Sequence, residues 1–307
     1  MTSITDDLSY KGIMRRITVL FIFLLNCEVT VVSTGMGSIA RAFPDAGPIL
    51  VNLVYTFPIL IMVFLNFFVV PPLAKKFDKK SLVLFSLIVY LIGGLGGVLA
   101  TGTIFQIIGM RALVGIGAGI AAPLCGAIIN ELYDGLDKKN MLGWANGVDS
   151  LVAFVLTLIA GYLCAIKWNY LFFVYSYFIL VVVMVAAYLP SLPAPKAAES
   201  SEKKKVKLSY NGKQKFKLFL VTLYGAACTI FLVVMMMKLS IFIENDAKIG
   251  DVIASSRAIA TTTIGIGIGA FFFGLTEKFF RRYNILVSVL LVAFGTFIMF
   301  KANFDWI

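Results

Sequence analysis

Three of the charged residues that stand within apolar stretches have the side chains best suited to chemistry. They are Glu28 in NCEVTVV, Arg111 in IIGMRALVG and Asp149 in NGVDSLV. Burial favours the protonated form of a carboxyl group, and a neighbouring arginine opposes this effect. Glu28 or Asp149 could therefore take up a proton in one conformation and release it in another. The alternative is a static ion pair with Arg111 that only fixes how the helices pack.

Other common chemistries find no support in the residue types. The chain has no histidine, and its four cysteines lie in apolar runs without the spacing of metal ligands. No metal site is therefore predicted, and Ser-His or Cys-His catalysis is excluded. The sequence predicts neither an enzyme nor a protein with a bound cofactor.

The stretch GIGAG, residues 115–119, resembles at first a glycine loop that binds phosphate. Such a loop needs a preceding strand within a soluble β-α-β unit, and here the sequence on both sides is apolar. The favoured interpretation is helix packing, because Gly115 and Gly119 form a G-x-x-x-G face that lets two helices approach closely. Pro123 then allows a bend in the same helix.

The overall composition indicates a membrane protein. The 307 residues are 60% hydrophobic and only 14% charged, whereas soluble domains carry about 25% charged residues. A membrane-spanning helix needs about 20 apolar residues, and the sequence therefore predicts an all-α polytopic membrane protein. Nine stretches are long enough, at 17–36, 51–71, 82–102, 104–130, 142–165, 169–189, 217–243, 253–275 and 283–301.

The basic residues are distributed unevenly between the two predicted sides of the membrane. Twenty of the 27 lysines and arginines precede the first span or lie in loops 2–3, 4–5, 6–7 and 8–9, four lie on the other side, and Arg111, Lys238 and Arg257 fall within spans. Since basic loops stay in the cytoplasm, the N-terminus is predicted to be cytoplasmic, and we expect a multi-pass protein of the plasma membrane. Topology and attraction to anionic lipid explain the net charge of +11, so nucleic acid is not a predicted partner.

One long polar segment divides the chain. Residues 191–216 are rich in lysine, serine, alanine and proline, which is typical of a flexible linker. It predicts a six-helix N-terminal bundle over 1–190 and a partial C-terminal bundle of three spans over 217–307.

Two basic loops resemble each other and indicate an internal duplication. PLAKKFDKK at 72–80 aligns with GLTEKFFRR at 274–282, an offset of 202 residues, and LSYKG at 8–12 resembles LSYNG at 208–212. Parallel repeats of this kind are one design of membrane transporters. The same offset would place the counterparts of spans four to six at 306–391. We therefore expect the chain to be a fragment of a protein of roughly 390–400 residues.

These features together resemble the major facilitator superfamily, whose members have two six-helix halves joined by a cytoplasmic linker. The family signature of loop 2–3, G-x-L-A-D-R-x-G-R-K, aligns with PPLAKKFDKK at 71–80, where proline and aspartate replace the glycines and Lys75 replaces the acid. The resemblance implies that this loop and its second copy hold helix ends together on the cytoplasmic side. The residues implied in this role are Leu73, Lys76, Asp78, Lys79 and Lys80 in the first copy and Glu277, Lys278, Arg281 and Arg282 in the second.

Two of the charged residues also match family motifs. Arg111, followed by Gly115, falls where the family carries a span-four arginine, which is linked to proton transfer in proton-coupled members. CEVTVV at 27–32 resembles the L-D-x-T-V-V stretch of drug:proton antiporters, with Glu28 in place of the aspartate. The Gly-Pro signature of those antiporters is missing from span five.

The resemblance implies secondary active transport of a small molecule that binds between two halves. The first expectation is proton-coupled export of drug-like molecules or metabolites by a monomer in the lipid bilayer. The alternative is uptake or facilitated diffusion of a sugar or organic acid. A third possibility, of a different class, is a membrane sensor that binds without transporting, or a fragment without function.

Overall fold

The computed structural model describes residues 10–193, 212–246 and 248–280. Within these ranges, the backbone alone is described at residues 26–29, 139, 213–215, 217, 221, 228 and 269–280. Most of the predicted linker and the predicted ninth span lie outside the described residues, as do Arg281 and Arg282.

Eight helical segments, called spans 1 to 8, follow one another, and the described part of the chain contains no strand. Spans 2 to 7 are long and apolar enough to cross a bilayer, and span 8 contains the shorter apolar stretch Val252–Ile268. The predicted all-α multi-pass membrane protein is thereby confirmed. The spans comprise residues 10–42, 44–73, 79–99, 104–132, 135–166, 168–188, 212–246 and 252–280.

Span 1 is interrupted twice. Its first α-helix, Tyr10–Ile22, passes into the 3-10 helix Phe23–Cys27, and α-helix resumes at Glu28–Thr34. A turn at Gly35 then separates this segment from the last α-helix, Met36–Ala42. Each interruption frees backbone carbonyl and N–H groups from the regular ladder. One such group is the Leu24 carbonyl, which accepts a hydrogen bond of 2.9 Å from the Tyr177 hydroxyl of span 6.

Three other spans also depart from the regular α-helix. Span 6 begins as the 3-10 helix Trp168–Tyr177 before continuing as the α-helix Phe178–Tyr188. Span 2 contains a π-helical turn at Leu65–Val69, and span 7 ends in another at Phe242–Asp246. Such turns are frequent at functional sites.

Span 4 is the most buried of the six membrane-length helices, because glycines on its surface let neighbouring backbones come close. A Cβ atom at Gly115 would lie 2.8 Å from Pro58 Cα of span 2, and one at Gly117 would lie 2.6 Å from the Ser86 carbonyl oxygen of span 3. One at Gly119 would lie 3.0 Å from Met62 Cα of span 2. The span stays helical through Pro123, whose ring lies on an exposed face.

The bundle has two ends, which we name by their loops. The basic end carries loop 2–3 with its lysines and loop 4–5, and the distal end carries loops 1–2, 3–4, 5–6 and 7–8. Following the predicted division, we call spans 1 to 6 the N-terminal half and spans 7 and 8 the C-terminal part. Spans 7 and 8 pack on spans 1 and 5. The buried residues of span 7 lie toward the distal end, and its residues nearer the basic end are exposed. The buried ones are Met236, Met237, Ser240, Ile243 and Glu244.

Candidate functional site

Arg111 is a buried charge inside the N-terminal half, with only 2% of its surface exposed. Its Nε donates a hydrogen bond of 2.9 Å to the Val54 carbonyl oxygen of span 2. Its Nη1 donates one of 2.7 Å to the Tyr175 hydroxyl of span 6. The guanidinium thus connects spans 2, 4 and 6 at one level of the bundle.

The Val54 carbonyl is available to Arg111 because of a proline one turn later. Residue 58 is the i+4 partner of Val54, and Pro58 has no N–H with which to close the helical hydrogen bond. Gly115, one turn after Arg111, allows span 4 to approach the same proline. Pro58, Arg111 and Gly115 therefore form one structural unit in which the arginine satisfies the carbonyl that the proline leaves free.

Tyr175 presents its hydroxyl from the 3-10 part of span 6. Its ring packs against Tyr90 of span 3, with ring centroids 5.4 Å apart, and stacks with Phe172. A side chain held on two sides by aromatic rings keeps its hydroxyl in place for Arg111. Sequence reasoning missed Tyr175, since nothing in the run YLFFVYSYF marks one of its tyrosines over the others.

The two predicted carboxylates lie on other spans of the same half. Glu28 is the first residue of the α-helix Glu28–Thr34, directly after the 3-10 interruption of span 1. Asp149 is partly buried within span 5. The two hydrogen bonds given above hold Arg111 on spans 2 and 6, and its pairing with Glu28 or Asp149 stays a prediction.

At the basic end, loop 2–3 is fastened to neighbouring helices of the N-terminal half. Lys79 forms a 2.5 Å ion pair with Glu131 at the end of span 4, and its side chain is 7% exposed. The ammonium group of Lys80 donates to the Ala186 carbonyl near the end of span 6, at 2.9 Å. These contacts all join elements of the N-terminal half to one another.

Asp78 caps span 3, and this use explains an acid where the family signature has glycine. Its carboxylate accepts hydrogen bonds from the Ser81 amide at 3.1 Å and from the Ser191 hydroxyl at 3.0 Å. Partial desolvation raises the pKa of Asp78, but hydrogen bonds from Ser81, Ser191 and Leu192 together bring the pKa below its ordinary value. The ionised carboxylate thus ties the start of span 3 to the segment that follows span 6.

The remaining residues of the two predicted loops occupy simpler positions. Lys76 is exposed, and its amide donates to the Leu73 carbonyl at 3.0 Å to close the turn after span 2. Glu277 and Lys278 lie near the end of the span 8 helix.

At the distal end, a polar cluster that sequence reasoning missed joins the two parts of the molecule. Arg41 of span 1 and Glu244 of span 7 form an ion pair of 2.6 Å. The Glu244 side chain is fully buried, whereas Arg41 is half exposed. Three serine hydroxyls complete the surroundings of the Glu244 carboxylate, at 2.7 to 3.0 Å: Ser38, Ser240 and Ser255.

A cavity of about 270 Å³ lies beside this cluster, between loop 1–2, span 2 and span 7. Its polar lining residues are Asn52, Lys238 and Asp246. The buried side-chain oxygen of Asn52 has no hydrogen-bond partner among the described residues. The distal end thus holds both the main polar contact between the two parts and an adjoining space.

Comparison with models of known protein families identifies the family of this chain. The model of the Major Facilitator Superfamily matches residues 18–307. This chain belongs to the Major Facilitator Superfamily. Membership makes it a membrane transport protein and confirms the predicted family and fold. No curated protein sequence matches this superfamily member significantly.

Solved structures support the same fold. A D-xylose-proton symporter superposes with a TM-score of 0.58 at 15% identity, over 88% of this chain and 69% of the symporter. The xylose transporter XylE from E. coli, in a partially occluded inward-open conformation, gives 0.55 at 15% identity, over 88% and 73% of the two chains. At this identity the likeness concerns the fold of the superfamily member and not its substrate.

Proposed function

We propose that this protein is a proton-coupled secondary transporter that works by alternating access. The observation that supports this most strongly is Arg111, an ionised side chain buried at membrane depth and hydrogen-bonded across three spans. Intramembrane charges are costly and commonly mark ion or proton pathways. The protein acts as a monomer in the plasma membrane, with the basic end in the cytoplasm.

Glu28 and Asp149 are the proposed proton carriers, and Arg111 is the fixed charge that influences them. Glu28 follows directly on the 3-10 segment of span 1, and a 3-10 stretch within a helix often marks a functional hinge. A carboxylate at this point changes its distance from Arg111 when the helix rearranges. Its affinity for a proton then differs between the two conformations.

The first candidate substrates are drug-like molecules or metabolites that leave the cell in exchange for protons. The motif CEVTVV supports export, because it resembles the corresponding stretch of drug:proton antiporters. The second candidate is uptake of a sugar with a proton, and the likeness in fold to xylose-proton symporters supports it. The two candidates differ in the direction of the pH gradient that drives transport.

Transport assays in oriented vesicles separate these candidates. The dye ethidium is offered to inverted vesicles with an acidic interior, and labelled xylose is offered to right-side-out vesicles in an acidic medium. Gradient-driven accumulation of ethidium supports export, and gradient-driven accumulation of xylose supports symport. Failure of both, with folded protein in the membrane, counts against proton-coupled transport of these two substrate classes.

The Glu28→Gln variant tests the proton carrier itself. We expect gradient-driven transport to fall by more than about tenfold, because glutamine cannot carry a proton across the cycle. The matched control is Asp134→Asn, which makes the corresponding chemical change at an exposed carboxylate of loop 4–5 and should leave transport within about twofold of the parent. Unchanged pH-driven transport by Glu28→Gln would exclude Glu28 as the carrier.

A further inference from the structure

The carboxylate of Glu244 is coordinated from both parts of the molecule at once. Span 1 contributes the guanidinium of Arg41 at 2.6 Å and the hydroxyl of Ser38 at 3.0 Å. Spans 7 and 8 contribute the hydroxyls of Ser240 at 2.7 Å and Ser255 at 2.9 Å. A buried carboxylate is stable only with such partners, since water no longer solvates it.

The backbone of span 1 is prepared for this contact by the turn at Gly35. The turn ends one helix at Thr34 and starts the next at Met36, which leaves a carbonyl and an N–H without helical partners. The Ser240 hydroxyl lies 2.8 Å from the Thr34 carbonyl and accepts a hydrogen bond of 3.1 Å from the Gly37 amide. Asn245 adds a bond of 3.1 Å from its amide group to the Gly37 carbonyl.

Gly37 provides the space into which the Glu244 carboxylate fits. A Cβ atom at this position would lie 2.7 Å from the carboxylate carbon of Glu244 and 2.9 Å from each carboxylate oxygen. These distances are so short that the Glu244 carboxylate would have to shift if residue 37 carried a Cβ atom. A methyl group at residue 37 therefore disturbs the hydrogen bonds of the carboxylate without changing its charge.

We propose that Glu244, Arg41 and the three serines form the gate that closes the distal side of the transporter. This inference rests on the proposed function, because a gate has a role only in alternating access. When the two parts separate at this end, Glu244 and Arg41 exchange their mutual contact for water. The cluster therefore has two favourable arrangements, one joined and dry, the other separated and hydrated, as a two-state gate requires.

Cys164 is a natural reporter of this gate. The residue is 5% exposed, and its thiol lies beside Ser38 and 3.5 Å from where a Cβ atom of Gly35 would stand. It is situated near the distal end of span 5. A full-length chain that retains only this cysteine, with Cys27, Cys125 and Cys228 replaced by alanine, can be treated with a membrane-impermeant maleimide from either side. The rate of labelling from the distal side then measures how often the gate opens.

Two variants weaken the gate in different ways, and each has a matched control. Glu244→Gln removes the charge, with Asp134→Asn at an exposed position of the basic end as the control. Gly37→Ala adds a methyl group against the carboxylate, with Gly109→Ala as the control, since a Cβ at Gly109 meets no atom within 4 Å. We expect both gate variants to increase distal labelling by about tenfold or more and both controls to leave it unchanged.

The labelling experiment supports or overturns the proposal. If both gate variants are labelled from the distal side at the same rate as the parent, the proposal is overturned. An equal increase in Asp134→Asn, or an increase from both sides of the membrane, also overturns it, because these results indicate general loosening of the bundle. The assay needs no substrate, so increased distal labelling together with absent proton-driven transport would contradict the proposed coupling and not the gate.

Discussion

The two ends of the bundle use the same chemistry for different purposes. At the basic end, Lys79 and Glu131 pair within the N-terminal half, with the lysine buried and the glutamate partly exposed. At the distal end, Arg41 and Glu244 pair between the two parts, with the glutamate buried and the arginine half exposed. In the proposed alternating-access motion, the first pair stays intact and the second must break. Whether an ion pair can act as a gate thus depends on which elements it joins.

The predicted internal repeat accounts for the meeting of the distal pair. Arg41 and Glu244 are 203 residues apart, close to the offset of 202 between the two basic loops. In that predicted repeat they occupy nearly equivalent places, at the distal ends of spans 1 and 7. Equivalent helices of parallel repeats face each other across the axis that relates the halves.

Cross-linking two residues within each end, one end at a time, should give the largest difference in transport between the two ends. Cysteines at Arg41 and Asn245, whose side chains are 3.0 Å apart, are joined by a short thiol-reactive linker. We expect transport to fall by more than about tenfold and to recover when a cleavable linker is reduced, because the distal end can no longer open. Cysteines at Lys79 and Glu131, linked in the same way, should leave transport within about twofold. Equal inhibition by both links would contradict the distinction between the ends.

A contact deep inside the N-terminal half should affect stability by an intermediate amount. Arg111→Met leaves the Val54 carbonyl without a donor, which should lower the free energy of unfolding in detergent by about 1–3 kcal/mol. In a Pro58→Ala background, residue 58 regains its N–H and can satisfy that carbonyl. The cost of Arg111→Met should then be smaller by about 1 kcal/mol. An identical cost in both backgrounds would mean that the proline does not create the arginine's binding partner.

Loss of the Asp78 cap of span 3 should have the smallest effect on the free energy of unfolding, and this effect should depend on pH. Because the folded-state pKa of Asp78 is below its ordinary value of 3.8, its ionised form stabilises the folded protein above that pH, and the stabilisation is lost as the pH falls through the folded-state pKa. Asp78→Ala should cost about 0.5–2 kcal/mol at neutral pH, and less in acid. Asp78→Asn serves as the control, since asparagine keeps the cap without titrating. A cost for alanine that is constant down to pH 3 would contradict this role.

The sequence was sufficient to predict the membrane class, the family and the order of the spans, because long apolar runs and the positions of lysines depend on local composition. It also indicated Arg111 as a charge that needs partners. It did not indicate Val54 or Tyr175, because a backbone carbonyl carries no residue-specific signal and the relevant tyrosine is one of several. The distal cluster was missed for a different reason. Arg41, Ser38 and Glu244 look like ordinary residues of span ends, and only the fold brings them together.

Paired distances at the two ends test the central claim most directly. Spin labels at residues 45 and 249 report on the distal end, and labels at 76 and 216 report on the basic end; all four positions are exposed. Alternating access through a distal gate predicts that Glu244→Gln increases the proportion of molecules with a long distance between the distal labels. In the same sample, the distance between the basic labels should shorten. Distal distances that stay at their parental values, or both pairs lengthening together, would contradict the account.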